Sequence, residues 1–361
     1  MKGQRSDWLL SAPLSATNSK ADTPLFAYLA RLIRGEDLTM KEAAAFFRVL
    51  TDHTADTVQI AGALTALTAK GETFEELAGM AATMRKTAVP VRSTQRSAVD
   101  INGTGSSASR TFNISTAAAF VAAGAGLSVA KQSNRGVISR VGSADVLGAL
   151  GVKVAAEPAA AQTSLNGVGL CFLFAPNFHP TLRRLGEIRR GLGIRTCLNV
   201  LGLLANPAGV SRHLIGVWHR SLVDPVAGAL SLLKTDTAWV VHGEDGLDEI
   251  TLAGKTHVVE VIGRETREFH LTPKDFGLKS GNIDHLKTAN AKESAAIIRD
   301  VLASRRRDEA RSLIVMNAAA ALVIGGIAKD PLHAARLAEQ SIDSGQAENK
   351  LERLIQVTNK K

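Results

Sequence analysis

The chain has 361 residues, more than one compact core usually spans, so two domains or one large domain with a smaller partner are expected. Apolar residues make up 45% and charged residues 21%, which excludes a disordered or fibrous chain, and the longest small-apolar run, around residues 117–130, is too short to cross a bilayer. A net charge of +9 fits nucleic acid or a polyanionic small substrate and does not choose between them.

Residues 1–21 are polar, Ser- and Ala-rich and weakly basic; "WLLSAPL" follows Asp7 and contains Pro13, a poor signal peptide, so a disordered tail is expected. Residues 22–92 read as a domain of three or four short helices. Thr39-x-x-Glu42 and Thr73-x-x-Glu76 have capping-box form, and "DTVQIAGALTALTAK" between them carries apolar residues at helical spacing and stops at Gly71. From Ser97 to about Gly281 short β-rich runs ("SAVDI", "LSVAK", "GLCFLFAP", "AWVVHG", "THVVEVI") alternate with helical segments. Three further helical segments follow. The predicted fold is α/β with a small all-helical domain: a mainly parallel sheet flanked by helices over residues 97–361, with C-terminal helices returning onto it. Cys171 and Cys197 are too few for a disulfide framework and sit in apolar surroundings, as reduced thiols of a cytoplasmic protein would.

The stretch "DINGTGSSASRTFNIS", residues 100–115, lies between a predicted strand and a helix, where open α/β sheets bind ligands. Gly103 and Gly105 allow close backbone approach, and the N–H groups up to Ser115 and Thr116 make an anion site. Ser106, Ser107, Thr111, Asn113 and Ser115 add donors suited to phosphate or ribose oxygens. Neither the dinucleotide fingerprint nor a phosphate-loop motif is present, and a simple capped turn is the alternative. Downstream, Lys131, Arg135 and Arg140 stand within ten residues with no acid among them, a second wall for the same anion or a solvated surface. In "VVHGEDGLDEIT", Glu244 and Asp245 read as an acidic surface turn, and adjacent carboxylates after a strand also form a natural perch for Mg²⁺.

With "GTG…TFNIST", "VAK…NRGVISRVGSADVLGALG", "FLFAPNFHPTLRRLGEIRRGLGIRTCLNVLGLLANPAG" and "VVHGEDGLDE" in that order, the sequence resembles anthranilate phosphoribosyltransferases, which share their fold with pyrimidine nucleoside phosphorylases. The resemblance runs from about Asp22 into the C-terminal helices. It implies transfer of a phosphoribosyl group from phosphoribosyl diphosphate to the amine of anthranilate, in tryptophan biosynthesis, by a cytoplasmic homodimer. Gly103, Ser106, Ser107, Thr111, Asn113, Ser115, Thr116, Lys131, Ser139 and Ser143 would then bind phosphoribosyl diphosphate. Gly103, Asn134, His179, Arg189 and Gly202 would face anthranilate, with Arg189 on its carboxylate; Ser115, Asp248 and Glu249 would hold Mg²⁺. No catalytic base is implied, because an aromatic amine is a free nucleophile at neutral pH and positioning matters more. For the same reason no Ser-His-Asp arrangement is needed.

Three departures from the family pattern fall in that site. "GTGGDG" is here "GTGSSAS", "KHGNR" is "KQSNR" with Gln132 and Ser133, and "LGPL" is "LGLL" with Leu203. Serines still donate to phosphate, while Gln132 keeps hydrogen bonding and does not titrate as His does. A paralogue with a different aromatic acceptor is therefore one alternative. A non-catalytic nucleic-acid binder is another, motivated by the charge and the basic loop; the 4% aromatic content gives it few stacking platforms. A nucleoside phosphorylase is the third, and "FNIST" and "DGLDE" fit it less well.

Overall fold

Four helices follow one another after Thr23, each begun by a side chain that satisfies a free N–H. They are α1 (Pro24–Ile33), capped by Thr23, α2 (Met40–Leu50), by Thr39, α3 (Thr57–Lys70), by Asp56, and α4 (Phe74–Thr87), by Thr73. Both expected capping boxes form, Thr39 with Glu42 and Thr73 with Glu76. These positions come from a computed structural model that describes residues 23–95, 97–105, 110–136, 141–155 and 157–360. The tail over 1–21, Ser106, Ser107, Ser139 and Arg140 lie outside the described residues.

Seven strands make one sheet: β1 (Val99–Gly103), β2 (Val129–Ser133), β3 (Leu170–Phe174), β4 (Arg212–Gly216), β5 (Thr237–Gly243), β6 (Thr256–Ile262) and β7 (Glu265–Leu271). Their order is β3-β2-β1-β4-β5-β6-β7, with the first five parallel and the last two joined antiparallel. The sequence pattern shows neither β4 nor β7. "RHLIG" has too few consecutive apolar residues, and "ETREFHL" lies at the sheet edge with most of its side chains in solvent, which removes the apolar alternation.

Between the strands run α5 (Ile114–Gly124), α6 (Ser143–Ala149), α7 (Pro158–Val168), α8 (Ala175–Phe178), α9 (Arg183–Leu192), α10 (Leu198–Leu204) and α11 (Val223–Leu232). After the sheet come α12 (Ala291–Leu302), α13 (Glu309–Ile324), α14 (Pro331–Asp343) and α15 (Gln346–Asn359). One core joins α5 to the C-terminal helices on one face of the sheet. On the other face, α1–α4 share a continuous core with residues between Leu185 and Val261. Arg85 at the end of α4 fastens this union by donating to the carbonyls of Leu204 at 2.7 Å and Leu233 at 3.0 Å. Helical periodicity over 22–92 identifies the apolar faces but not their cover, which comes from α9–α11, more than a hundred residues downstream.

Chain direction changes sides at β1. β2 and β3 lie to one side of it and β4 and β5 to the other, so Gly103 and Gly216 end side by side at a switch point. Crevices at such points are where open α/β sheets bind ligands.

Candidate active site

A cavity of about 620 Å³ opens at this switch point. The ends of β1 and β2, the starts of α5 and α6, α9, α10 and the segment with Asp248 and Glu249 line it. Of the site residues expected from sequence, the cavity brings together Gly103, Thr111, Asn113, Ser115, Lys131, Asn134, Ser143, Arg189, Gly202, Asp248 and Glu249.

The two acids are buried, and the backbone beneath them explains how. Gly103 and Gly216 carry no side chain where the Asp248 peptide crosses the strand ends; a Cβ on Gly103 would stand 2.7 Å from the Asp248 carbonyl oxygen. Asp248 Oδ2 accepts from the Thr104 hydroxyl and the Gly105 N–H, both at 2.7 Å. Burial, then the adjacent Asp248 charge, pushes the Glu249 carboxyl up, opposed by Lys131 and by the hydroxyl and N–H of Ser115. Several donors that the sequence offers to a phosphate are thus engaged in holding carboxylates. Two buried hard-oxygen ligands with mutually unfavourable charge are a donor set that a divalent cation such as Mg²⁺ satisfies.

Lys131 is not a free arm. Its Nζ donates to Ile101 O at 2.6 Å, Asn102 Oδ1 at 2.6 Å and Ser115 Oγ at 3.2 Å, using all three N–H groups. Burial pushes the ammonium's pKa down, and Asp100, Glu249 and Asp248 oppose that shift. Lys131 therefore serves as the positive charge beneath the two acids and fixes Ser115. Asp100 extends the network: it accepts from Asn102, from the Gln132 N–H at 3.2 Å and from Asn206 Nδ2 at 2.8 Å. Burial raises its pKa to about 6.

The starts of α5 and α6 are ordered in the same way. Asn113 begins α5 without capping it, because its side chain takes the Ser294 hydroxyl at 3.2 Å. Ser143 Oγ accepts from Asn134 N–H at 3.3 Å and links α6 to the end of β2. The Ser133 hydroxyl, on the Lys131 face of β2, is buried without a partner.

Arg189 of α9 lines the cavity together with Leu198, Gly202 and Leu203 of α10. Burial lowers its pKa, and among the described residues no carboxylate offsets that shift. A guanidinium in this state is a ready partner for a ligand carboxylate. Two expected residues do not appear in the cavity lining. Thr116 is wholly buried within α5, one position past the part that faces the cavity. His179 does not line the cavity either; it is buried beside the backbone of Ala205, and desolvation lowers its pKa to about 4.

Comparison with known proteins agrees with this geometry. A glycosyl transferase family α/β domain model matches residues 95–348, and a helical bundle domain model of the same family matches residues 27–88. The anthranilate phosphoribosyltransferase of Moorella thermoacetica is 44% identical over 331 residues, covering 92% of this chain and 97% of that one. The chain belongs to the anthranilate phosphoribosyltransferase family. The crystal structure of the Thermus thermophilus member superposes with a TM-score of 0.86 at 38% identity, covering 92% of this chain and 99% of that one. The Saccharomyces cerevisiae member in complex with PRPP and Mg gives 0.84 at 26% identity, covering 94% and 99%.

Family motifs alone miss Asp100, Asn102, Thr104, Asn206 and Gly216, which hold this site in place. For Asp100 and Asn102 a trace exists in the sequence: two polar residues inside an otherwise apolar strand must find buried partners. For Gly216 there is none, since its close neighbour Asp248 is 32 positions away.

Proposed function

We propose that the protein transfers the phosphoribosyl group of phosphoribosyl diphosphate to the amine of anthranilate, releasing diphosphate, a step of tryptophan biosynthesis. The observation that carries this reading is one cavity lined both by a buried acid pair and by a guanidinium that has no acid partner among the described residues. In the reaction the amine nitrogen bonds to ribose C1, the C1–O bond to diphosphate breaks, and the nitrogen gives up a proton. Arg189 binds the acceptor carboxylate and orients the amine. Asp248 and Glu249 hold Mg²⁺, with Lys131 balancing their charge and keeping Ser115 in place. Bound there, Mg²⁺ neutralises charge that develops on the departing diphosphate. Thr111, Asn113, Ser143 and the start of α5 surround the donor; Ser106, Ser107 and Ser139, expected there from the sequence, lie outside the described residues.

The nucleic-acid reading finds less support. Lys131 is saturated inside the protein, Arg135 pairs with Asp145 at 3.3 Å, and Arg305, Arg306 and Arg307 each pair with an aspartate. A homodimer joined through the helical domain fits the apolar side chains exposed there, Ile33 on α1 and Val58 on α3. The two free, buried cysteines fit a reducing cytoplasm. No described helix is long and apolar enough to cross a membrane.

The test follows anthranilate fluorescence with purified protein, phosphoribosyl diphosphate and Mg²⁺, with and without chelator. Chelator-sensitive loss of fluorescence is expected. Arg189→Ala should raise the acceptor KM about 10- to 100-fold and leave the donor KM nearly unchanged. Equal acceptor KM in the two proteins would remove Arg189 from the acceptor site.

A further inference from the structure

Gln132 is the penultimate residue of β2, on the face opposite Lys131, and its carboxamide oxygen is unpaired. Its backbone N–H donates to Asp100 Oδ1 at 3.2 Å. The side-chain Oε1 is buried without a hydrogen bond. Nε2 lies 4.0 Å from where a Cβ on Gly202 would stand, so the missing side chain at Gly202 leaves the space in front of the amide open. Ala175, Leu198 and Leu203 line the same cavity as Gln132, together with the polar Asn134 and Asn199. The carboxamide oxygen has two acceptor lone pairs, and leaving it desolvated and unpaired is unfavourable.

We propose that Gln132 reads a ring hydroxyl on the acceptor, so that the preferred substrate is a hydroxyl-bearing anthranilate rather than the unsubstituted compound. This inference rests on the phosphoribosyl-transfer reading and narrows it to a substrate class. Arg189 meets the single carboxylate, and the amine must face the ribose carbon, so neither group of plain anthranilate pairs the buried Gln132 amide. A hydroxyl both donates and accepts. It therefore pairs with whichever end of the amide faces the cavity, which a half-turn of the last side-chain torsion decides. A site built to bond a hydroxyl discriminates against the analogue that lacks it, because the protein group then stays unpaired.

The test compares kcat/KM for anthranilate and for each of its ring-hydroxylated isomers, supplied one at a time with phosphoribosyl diphosphate and Mg²⁺. At least one isomer should exceed anthranilate by about tenfold or more. Gln132→Leu should bring that ratio close to one, with Gln132→Met as a second apolar replacement if the first folds poorly. Anthranilate used as well as every isomer by the unmodified protein would overturn the inference while leaving the transfer reaction standing. A ratio that survives in both variants would overturn the role of Gln132. Absence of turnover with all acceptors would bring down the transfer reading, and this inference with it.

Discussion

A methyl group added at position 216 would fall inside the peptide that carries Asp248. The Cβ of Gly216→Ala would stand 1.8 Å from the Asp248 carbonyl oxygen and 2.4 Å from its carbon, whereas real contacts begin near 3.0 Å. Gly216 has no positive φ, so the obstacle is this contact and not the backbone torsion. The 248–249 segment must retreat by about 1 Å or more, which pulls Asp248 Oδ2 from the Thr104 hydroxyl and the Gly105 N–H. Overpacking of this kind costs about 1–3 kcal/mol of stability. Misplacing an active-site group by about 1 Å costs on the order of 100-fold in rate. Gly216→Ala should therefore remain folded, lose about 100-fold in kcat/KM and need more Mg²⁺ for half-maximal rate. The control is Gly167→Ala in α7, where a Cβ meets nothing within 4 Å, and both properties should be kept. Anthranilate fluorescence across a Mg²⁺ titration, with a denaturant melt of each variant, decides the matter. A wild-type rate and Mg²⁺ dependence in Gly216→Ala would refute the close packing of β4 against the acid-bearing segment.

Lys131→Met removes the cation that balances Asp100, Asp248 and Glu249, and should cost about 3–5 kcal/mol in urea unfolding without any substrate. A lysine that acted only by touching diphosphate would leave that stability unchanged. Asp248→Asn combined with Glu249→Gln should reduce turnover to the level seen with chelator and make it insensitive to added Mg²⁺; a retained Mg²⁺ response would place the metal elsewhere. The pH dependence of folding should expose His213, which burial keeps neutral with a pKa of about 3. Its folded pKa is depressed, so the unfolded chain binds the extra proton first and stability is lost as pH falls below about 6.5. Relative to His213→Leu, the unmodified protein should lose about 1.4 kcal/mol per pH unit from pH 6.5 downward, with a constant gap above it. A gap that ignores pH in equilibrium urea titrations would mean His213 is not desolvated.

The capping boxes at Thr39 and Thr73 were legible in the sequence because a cap depends on residues three positions apart and on nothing else. Five of the seven strands were legible for a similar reason: each begins in or contains a short β-rich run, although β1 and β2 also bury polar residues. β7 was not, because an edge strand with a solvent face loses that pattern, and β4 was hidden by Arg212 and His213 at its start. The motifs around Gly103, Lys131, Arg189 and Asp248 pointed to one site, and the cavity at the switch point contains them all. What each does there was decided by tertiary structure. Lys131 looked like a ligand for phosphate, but the fold surrounds its ammonium with Ile101 O, Asn102 and Ser115. The Thr116 side chain is buried in α5 one residue past Ser115, since one residue of rotation on a helix moves a side chain from cavity to core, and His179 is buried beside Ala205. Gly216 carried no mark at all, because its requirement is set by a peptide that only the folded sheet brings against it. Local chemistry is written in neighbouring residues, whereas burial and close approach are made by segments far apart in the chain, and these decide which polar groups remain free for a ligand.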